Sequence, residues 1–416
     1  MHIDILLANT EIKTANVSCL EDLIAPLTKE EFYSKYFEQR PFLIKRNLPE
    51  YYSLYLKIQQ VEEILTTRKL QKSDLRIVKQ GLLKPVGEYL NSNDTVDTNK
   101  ALDAFQNGST LIFEHLDLQH KPIGQMLYCL EAETMLGLRS NVYLTPKNSS
   151  GFSTHWDSHD VFILQIEGEK LWNIYDAPIE LPNTDQTKHQ RKTLQQVSPN
   201  KIQEITLQPG DIFYMPRGFV HEPATNTTAS LHVTIGIRQH TVEHMLTKSL
   251  EDICCNNAEL RKVLQLEQEL DQQHIKSILI DEINSYDFNK SKQSLFRRYI
   301  KSRVPKRGVE LFRTSAEDIT LSTRLRIVQP SVYQLFTRRN DIQLCFDGKS
   351  IRLPTVLKKT LEQVFQIQSF VPEELESLDD NSKLVLVRKL YSEGFLEIER
   401  GTTSKINIGT NEMVPL

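Results

Sequence analysis

The sequence predicts an α+β chain in which an antiparallel β core is flanked by helical segments. Three observations carry that expectation. From Thr110 to about Arg238, short apolar runs alternate with turn signals, the texture of antiparallel strands in a sandwich or barrel. Helical character fills much of the chain before that stretch and returns past Val242. Beyond about Ala316, strand-like and helix-like runs mix again, as in a small separate module.

Taken in order, Cys19 to Leu90 reads as helical, and Thr28-Lys29-Glu30-Glu31 places a Thr cap ahead of acidic residues that favour a helix N-terminus. Asn91 to Lys100 is a polar loop. Pro146-Lys147-Asn148, Glu167-Gly168-Glu169, Pro209-Gly210-Asp211 and Arg217-Gly218 punctuate the β region, and Asn183 to Asn200 is a long polar insertion. After Val242, Met245, Leu246, Leu250, Ile253, Leu264, Leu266 and Leu270 offer apolar helical faces. Lys290 to Arg307 carries eight basic residues (Lys290, Lys292, Arg297, Arg298, Lys301, Arg303, Lys306, Arg307) and no acid. It reads either as a phosphate or acidic-partner contact or as a solvated helix face and linker. The last unit has strands at Ile342–Phe346 and Ser350–Leu353 and helices at 355–367 and 381–393; its ending, a helix running into Gly394-Phe395-Leu396-Glu397-Ile398, predicts a winged helix. The boundaries are 1–241 for the β domain with its N-terminal helices, 242–315 for a helical region and 316–416 for the winged-helix-like domain.

At 416 residues, two or three domains are expected. With 39% hydrophobic and 25% charged residues the chain has material for real cores, and its net charge of −4 gives no global polyelectrolyte signal. No apolar run is long enough for a membrane span, and residues 1–20 lack a secretory leader pattern. Five scattered cysteines argue against a disulfide framework. The expected compartment is the reducing cytoplasm.

Within the β region, His155-Trp156-Asp157 is followed by His221. Two imidazoles and one carboxylate form the facial set that holds Fe(II) and leaves positions open for a co-substrate and dioxygen. On a strand, side chains at i and i+2 leave the same face, so His155 and Asp157 could share one metal while Trp156 points away. A structural zinc site would want a fourth ligand, usually cysteine, and none of Cys19, Cys129, Cys254, Cys255 or Cys345 has that spacing. His232 is a rival third ligand, set aside for its strand-centre position, and His159 is assigned to the rim.

Lys170 opens Lys170-Leu171-Trp172-Asn173-Ile174-Tyr175, where alternation puts it on the face of Trp172 and Ile174. An ammonium there either meets an anion or snorkels into water from the sheet rim; spacing leaves both open. Ile212–Met215 is a strand stopped by Pro216, and Arg217-Gly218 reverses the chain before His221. Leu231, Val233, Ile235 and Ile237 form a core face, leaving Ser230, His232, Thr234 and Gly236 to line a pocket. Asn141 and Tyr143 also share a face.

Asn141-Val142-Tyr143, the stretch His155 to Trp172, and Pro209 to Pro216 ending in His221 resemble the JmjC-type ribosomal oxygenases. Tyr36-Phe37-Glu38-Gln39-Arg40-Pro41 is similar to that family's lead-in segment. The resemblance implies a double-stranded β-helix (JmjC/cupin) core, a helical dimerisation segment and a C-terminal winged helix. It implies Fe(II) on His155, Asp157 and His221, with 2-oxoglutarate and dioxygen as co-substrates. Lys170 then takes the distal carboxylate of 2-oxoglutarate, and Asn141, Tyr143, His232 and Thr234 line the pocket. The implied activity is hydroxylation of a histidyl or arginyl side chain in a ribosomal protein by a homodimer, with no membrane and nucleic acid left open. Lysine at 170 departs from the arginine-hydroxylating bacterial members, which carry arginine there, and is more like the histidine-hydroxylating members. Three other readings stand beside it: hydroxylation of a ribosomally made natural-product precursor peptide, a non-catalytic scaffold binding nucleic acid or protein, and lysine demethylation, which the lack of a zinc-binding reader module in the sequence disfavours.

Overall fold

The computed structural model describes residues 2–8, 14–46, 48–225, 227–238, 240–304, 314–338, 340–367 and 369–399. The chain divides into two compact units, 1–242 and 243–416. In the first unit the strands are β1 (Asp4–Leu7), β2 (Phe42–Lys45), β3 (Leu75–Lys79), β4 (Leu82–Leu83), β5 (Thr110–Glu114), β6 (Gly137–Thr145), β7 (Asp160–Glu167), β8 (Lys170–Tyr175), β9 (Lys201–Leu207), β10 (Ile212–Met215), β11 (His221–Ala224) and β12 (Ser230–Arg238). Its helices are α1 (Leu20–Ile24), α2 (Lys29–Glu31), α3 (Ile58–Thr67), α4 (Thr98–Gln106), α5 (Lys121–Thr134), α6 (Thr184–Lys188) and α7 (Gln190–Gln196).

Among the described residues the strands form a nine-stranded sheet, ordered β1-β2-β10-β7-β12-β6-β5-β3-β4, and a three-stranded sheet, β11-β8-β9. Two cores explain the sequence pattern. Phe42, Ile44, Phe162, Leu164, Ile212, Tyr214, Val233 and Ile235 pack with the N-terminal helices on one face of the large sheet. Leu43, Val161, Ile163, Trp172, Ile174, Ile205, Phe213 and Met215 form a second cluster that joins the two sheets. Strands β2, β7 and β10 are therefore apolar on both faces, and each fully buried Leu, Ile or Phe contributes about 1.5–3 kcal/mol.

That double burial explains one correction. Cys19 to Leu90 is not helical throughout, because it contains β2, β3 and β4. Phe42-Leu43-Ile44 is an unbroken buried run, and periodicity cannot tell such a run from a short helix. The expected cap is present: Thr28 Oγ1 accepts from the Glu31 amide at 3.1 Å, and the Glu31 carboxylate accepts from the Thr28 amide at 3.2 Å. The polar insertion at 183–200 holds α6 and α7. Gly168 does not turn β7 back onto β8 in one hairpin; β7 lies in the large sheet and β8 in the small one. Gly168 makes this corner at φ 62°, with a would-be Cβ 1.8 Å from the Ala229 carbonyl oxygen, a position only glycine fits.

The second unit carries α8 (Val242–Asn256), α9 (Gln272–Ser285) and α10 (Phe288–Ser302), then β13 (Leu325–Ile327), β14 (Tyr333–Thr337), β15 (Asp341–Phe346), β16 (Lys349–Pro354), α11 (Lys358–Gln366), β17 (Ser369–Phe370), α12 (Asp380–Ser392) and β18 (Leu396–Ile398). Its described strands form two three-stranded sheets, β17-β13-β18 and β14-β15-β16, around a core that includes Leu344, Leu361, Val387 and Phe395. Within the basic stretch, Arg303 is buried against Asp347 at 2.8 Å and Arg297 lies 4.2 Å from the Phe336 ring centroid. These two are structural, whereas Lys290, Lys292, Arg298 and Lys301 are exposed. Lys306 and Arg307 lie outside the described residues.

Candidate active site

His221 opens β11 in the small sheet, and an isolated backbone bridge joins it to His155. The His155 amide donates to the His221 carbonyl at 3.1 Å, and the His221 amide donates back at 2.8 Å. Asp157 lies in the connection between that bridge and β7, so the strand expected through 155–157 is a single bridge residue followed by a loop. One potential ligand atom from each of His155, Asp157 and His221 falls within a group spanning no more than 4.8 Å, and His221 Nε2 is 3.8 Å from an Asp157 oxygen.

Both imidazoles present a ring nitrogen that could ligate a metal. His155 Nδ1 donates to the Ser153 carbonyl at 2.8 Å and His221 Nδ1 donates to the Phe219 carbonyl at 3.1 Å. A carbonyl only accepts, so the proton sits on Nδ1 and each Nε2 lone pair is free. Burial, aided by neighbouring His155, lowers the His221 pKa to about 4. Burial pushes Asp157 upward, but the imidazoles of His159, His155 and His221 outweigh it and hold the carboxyl below its ordinary value. An anionic oxygen and two ring nitrogens within 4.8 Å of one another fit Fe(II).

Lys170, first residue of β8, is 1% exposed. The rim alternative is therefore ruled out, and the ammonium points between the sheets. Its Nζ donates to Thr145 Oγ1 on β6 at 2.8 Å. Among the described residues no carboxylate lies within ion-pair distance of it, and burial lowers its pKa to about 7. A buried cation with donors to spare and no counter-ion fits one end of a dicarboxylate.

The remaining pocket residues share one face of the large sheet. In the β6–β12 register Asn141 stands opposite Thr234, Tyr143 opposite His232, and Thr145 opposite Ser230. The Tyr143 and His232 rings stack at 4.7 Å and 5°. Across the gap, Trp172 of the small sheet lies 5.7 Å from the His232 ring and 5.8 Å from the His221 ring. His232 is buried with Nδ1 unpartnered, and burial together with Lys170 holds its pKa well below the ordinary imidazole value. His232 falls outside the ligand cluster. Asn141 Oδ1 accepts from the His115 amide at 3.2 Å, and Thr234 is half-buried. His159 is more than a bystander at the rim, since its ring abuts Gly236 and it contributes to the field on Asp157.

Sequence reasoning missed Thr145, although the alternation from Asn141 and Tyr143 reaches it. It also missed Arg76 on β3, which pairs with Glu114, lies 5.8 Å from the Phe152 ring centroid and adds to the positive field on Asp157. No local pattern marks Arg76, because β3 joins the site only through the sheet order.

A family model described as the JmjC domain matches residues 119–245. The chain is 28% identical over 259 residues to the bifunctional lysine-specific demethylase and histidyl-hydroxylase NO66 of Drosophila grimshawi, covering 60% of this chain and 35% of that protein. It is 28% identical over 250 residues to human ribosomal oxygenase 1, covering 59% of this chain and 39% of that protein. The chain thus spans little more than a third of the length of these curated relatives. YcfD, a ribosomal oxygenase from Escherichia coli solved in complex with cobalt and 2-oxoglutarate, superposes with a TM-score of 0.52 at 16% identity over 90% of this chain and 99% of that one. That superposition establishes the fold. The segment that matches the JmjC domain carries all three candidate ligands, and over about 60% of its length the chain is similar to ribosomal oxygenases.

Proposed function

We propose that the chain is an Fe(II)- and 2-oxoglutarate-dependent oxygenase that hydroxylates a side chain of a protein or peptide, a histidyl or arginyl residue of a ribosomal protein. The observation that carries this reading is a buried Lys170, without a carboxylate partner among the described residues and on the same strand face as Trp172, whose ring lies 5.8 Å from that of His221 in the His155, Asp157, His221 cluster. His155, Asp157 and His221 would hold the iron, and Lys170 with Thr145 would hold the distal carboxylate of 2-oxoglutarate. When bound, iron and 2-oxoglutarate supply the oxidising power, with dioxygen consumed, succinate and carbon dioxide released, and one oxygen atom delivered to a C–H bond.

The chain's own groups orient and protect. His232, kept neutral, adds no second positive charge beside Lys170 and presents a free ring nitrogen to the pocket. The Tyr143 and His232 stack and Trp172 exclude water from the space where the diacid lies, and a dry site strengthens the Lys170 attraction. Asn141 and Thr234, opposite one another on β6 and β12 and both half-buried, would face the substrate side chain. The NO66 relatives are named as histidyl-hydroxylases, which supports a histidyl target.

The same proposal extends to architecture. The 242–315 region serves as a dimerisation segment, supported by Leu246, Leu250, Ile280 and Ile283, which are 41–57% exposed on α8 and α9. Residues 316–416 serve as a winged-helix-like domain, supported by the α11, α12 and β18 order. A cytoplasmic setting is supported by five unpaired cysteines. No helix among the described residues is long and apolar enough to cross a membrane.

Incubating the purified chain with Fe(II), 2-oxoglutarate and peptides from ribosomal proteins should give a peptide heavier by one oxygen atom in mass spectrometry. Absence of product from every ribosomal peptide, with 2-oxoglutarate still consumed, would move the target elsewhere. Loss of a methyl group from a methyl-lysine peptide would favour demethylation.

A further inference from the structure

The segment Tyr36 to Pro41 has no part in the site as described, yet it reaches toward it. Glu38 adopts φ 58°, a left-handed conformation that a non-glycine residue holds only when its surroundings fix it. Its carboxylate pairs with Arg217 at 2.6 Å, and its backbone amide donates to the Tyr214 hydroxyl at 3.0 Å. Arg217 in turn pairs with Asp160 at 3.2 Å, and the Arg217 amide donates to the same carboxylate at 3.3 Å. The Tyr214 hydroxyl donates to the other Asp160 oxygen. Asp160 is fully buried and Arg217 is 8% exposed.

These contacts sit between the two segments that bear the candidate ligands. Asp160 opens β7, three residues after Asp157. Arg217 lies in the connection from β10 to β11 that ends at His221. Next to Arg217, Gly218 at φ 90° donates its amide to the Asp157 carbonyl at 3.1 Å, and a Cβ there would fall 2.6 Å from the Ile179 carbonyl oxygen. The Asp160–Arg217 pair and the Gly218 bond, with the His155 and His221 backbone pair, therefore tie one segment to the other. A buried ion pair is a weak device for stability alone, whereas ligand distances in a metal site must hold to within about 0.2 Å.

We propose that Glu38, Asp160 and Arg217 form a positioning clamp that sets the spacing of His155, Asp157 and His221. The clamp rests on the metal-site reading above. None of its members touches the metal position; they act through the backbone on either side of it.

The test is a Co(II) titration of the full chain, followed by the visible absorption of the bound ion, for the parent protein and for Asp160→Asn, Arg217→Met, Arg217→Lys and Glu38→Gln. Parent protein should bind Co(II). Asp160→Asn and Arg217→Met should weaken binding roughly 10- to 100-fold, as loss of outer partners of metal ligands does, and should shift the absorption band. Arg217→Lys, keeping the charge without the fork, should recover part of the affinity. Variants that fold by circular dichroism and bind Co(II) as tightly as the parent, with the same band, would overturn the clamp. Should the two harsher variants fail to fold, Glu38→Gln decides: its carboxylate is one-third exposed, and unchanged affinity and band in that variant refute the proposal. Absence of Co(II) binding by the parent would overturn the metal-site reading and the clamp together.

Discussion

Replacing Lys170 with methionine should stabilise the protein and abolish co-substrate binding, two effects of opposite sign from one residue. Burial moves the Lys170 pKa from 10.5 to about 7, so the unfolded chain holds the proton more tightly than the folded one between those values. Stability contributed by this group therefore rises with pH across that window, and below it the folded protein carries the whole cost of a buried ammonium. At about 1.36 kcal/mol per pH unit, that cost is about 5 kcal/mol below pH 7 and about 2 kcal/mol at pH 9. Methionine fills a similar volume without the charge, so urea unfolding should show Lys170→Met more stable than the parent at pH 6, with a smaller gain at pH 9. Calorimetric titration of 2-oxoglutarate at saturating Mn(II) should show binding by the parent and none by the variant. In the parent, affinity should fall as pH rises above 7, by up to tenfold per unit, because the diacid must recruit a proton to the lysine. A variant that binds 2-oxoglutarate normally, or that is less stable than the parent at pH 6, would refute the reasoning.

Three further outcomes follow from the same geometry. His221→Ala should lose Mn(II) binding while keeping the parent circular dichroism, since only one of the three ligand groups is removed; retained binding would exclude His221 as a ligand. Gly168→Ala should lower stability by about 3 kcal/mol in urea unfolding, because its Cβ would meet the Ala229 carbonyl at 1.8 Å; an unchanged midpoint would contradict the described corner. Leu250→Asp, together with Leu246→Asp, should convert a dimer into a monomer in light scattering, and a persistent dimer would place the interface elsewhere.

The site was legible where its chemistry follows strand alternation. Lys170 with Trp172, Asn141 with Tyr143, and His232 with Thr234 each share a face because β8, β6 and β12 have period 2, and the structure sets Lys170 on Thr145, stacks Tyr143 on His232 and places Trp172 near both His232 and His221. What alternation could not reach was the partition of strands between two sheets. Glu167-Gly168-Glu169 has the composition of a hairpin turn, and only the approach of the Ala229 carbonyl reveals a sheet-changing corner. The strands of the N-terminal segment were hidden because Phe42-Leu43-Ile44 is buried on both faces and shows no period. Arg76 and the Glu38 and Arg217 pair were invisible for another reason: their partners are 38 and 179 residues away, and no local pattern encodes such distances. The α6 and α7 helices were masked by a polar surface, although Gln190 Oε1 accepts from the Trp156 amide at 2.8 Å beside the site.

The central claim is that one cavity holds a metal on His155, Asp157 and His221 and a diacid on Lys170. Its most direct test is a crystal structure of the chain soaked with Mn(II) and 2-oxoglutarate under anaerobic conditions. The metal should coordinate the two Nε2 atoms and an Asp157 oxygen, with the far carboxylate on Lys170 Nζ and Thr145 Oγ1. Metal bound at any other set of residues, or a diacid with neither end at Lys170, would contradict the account.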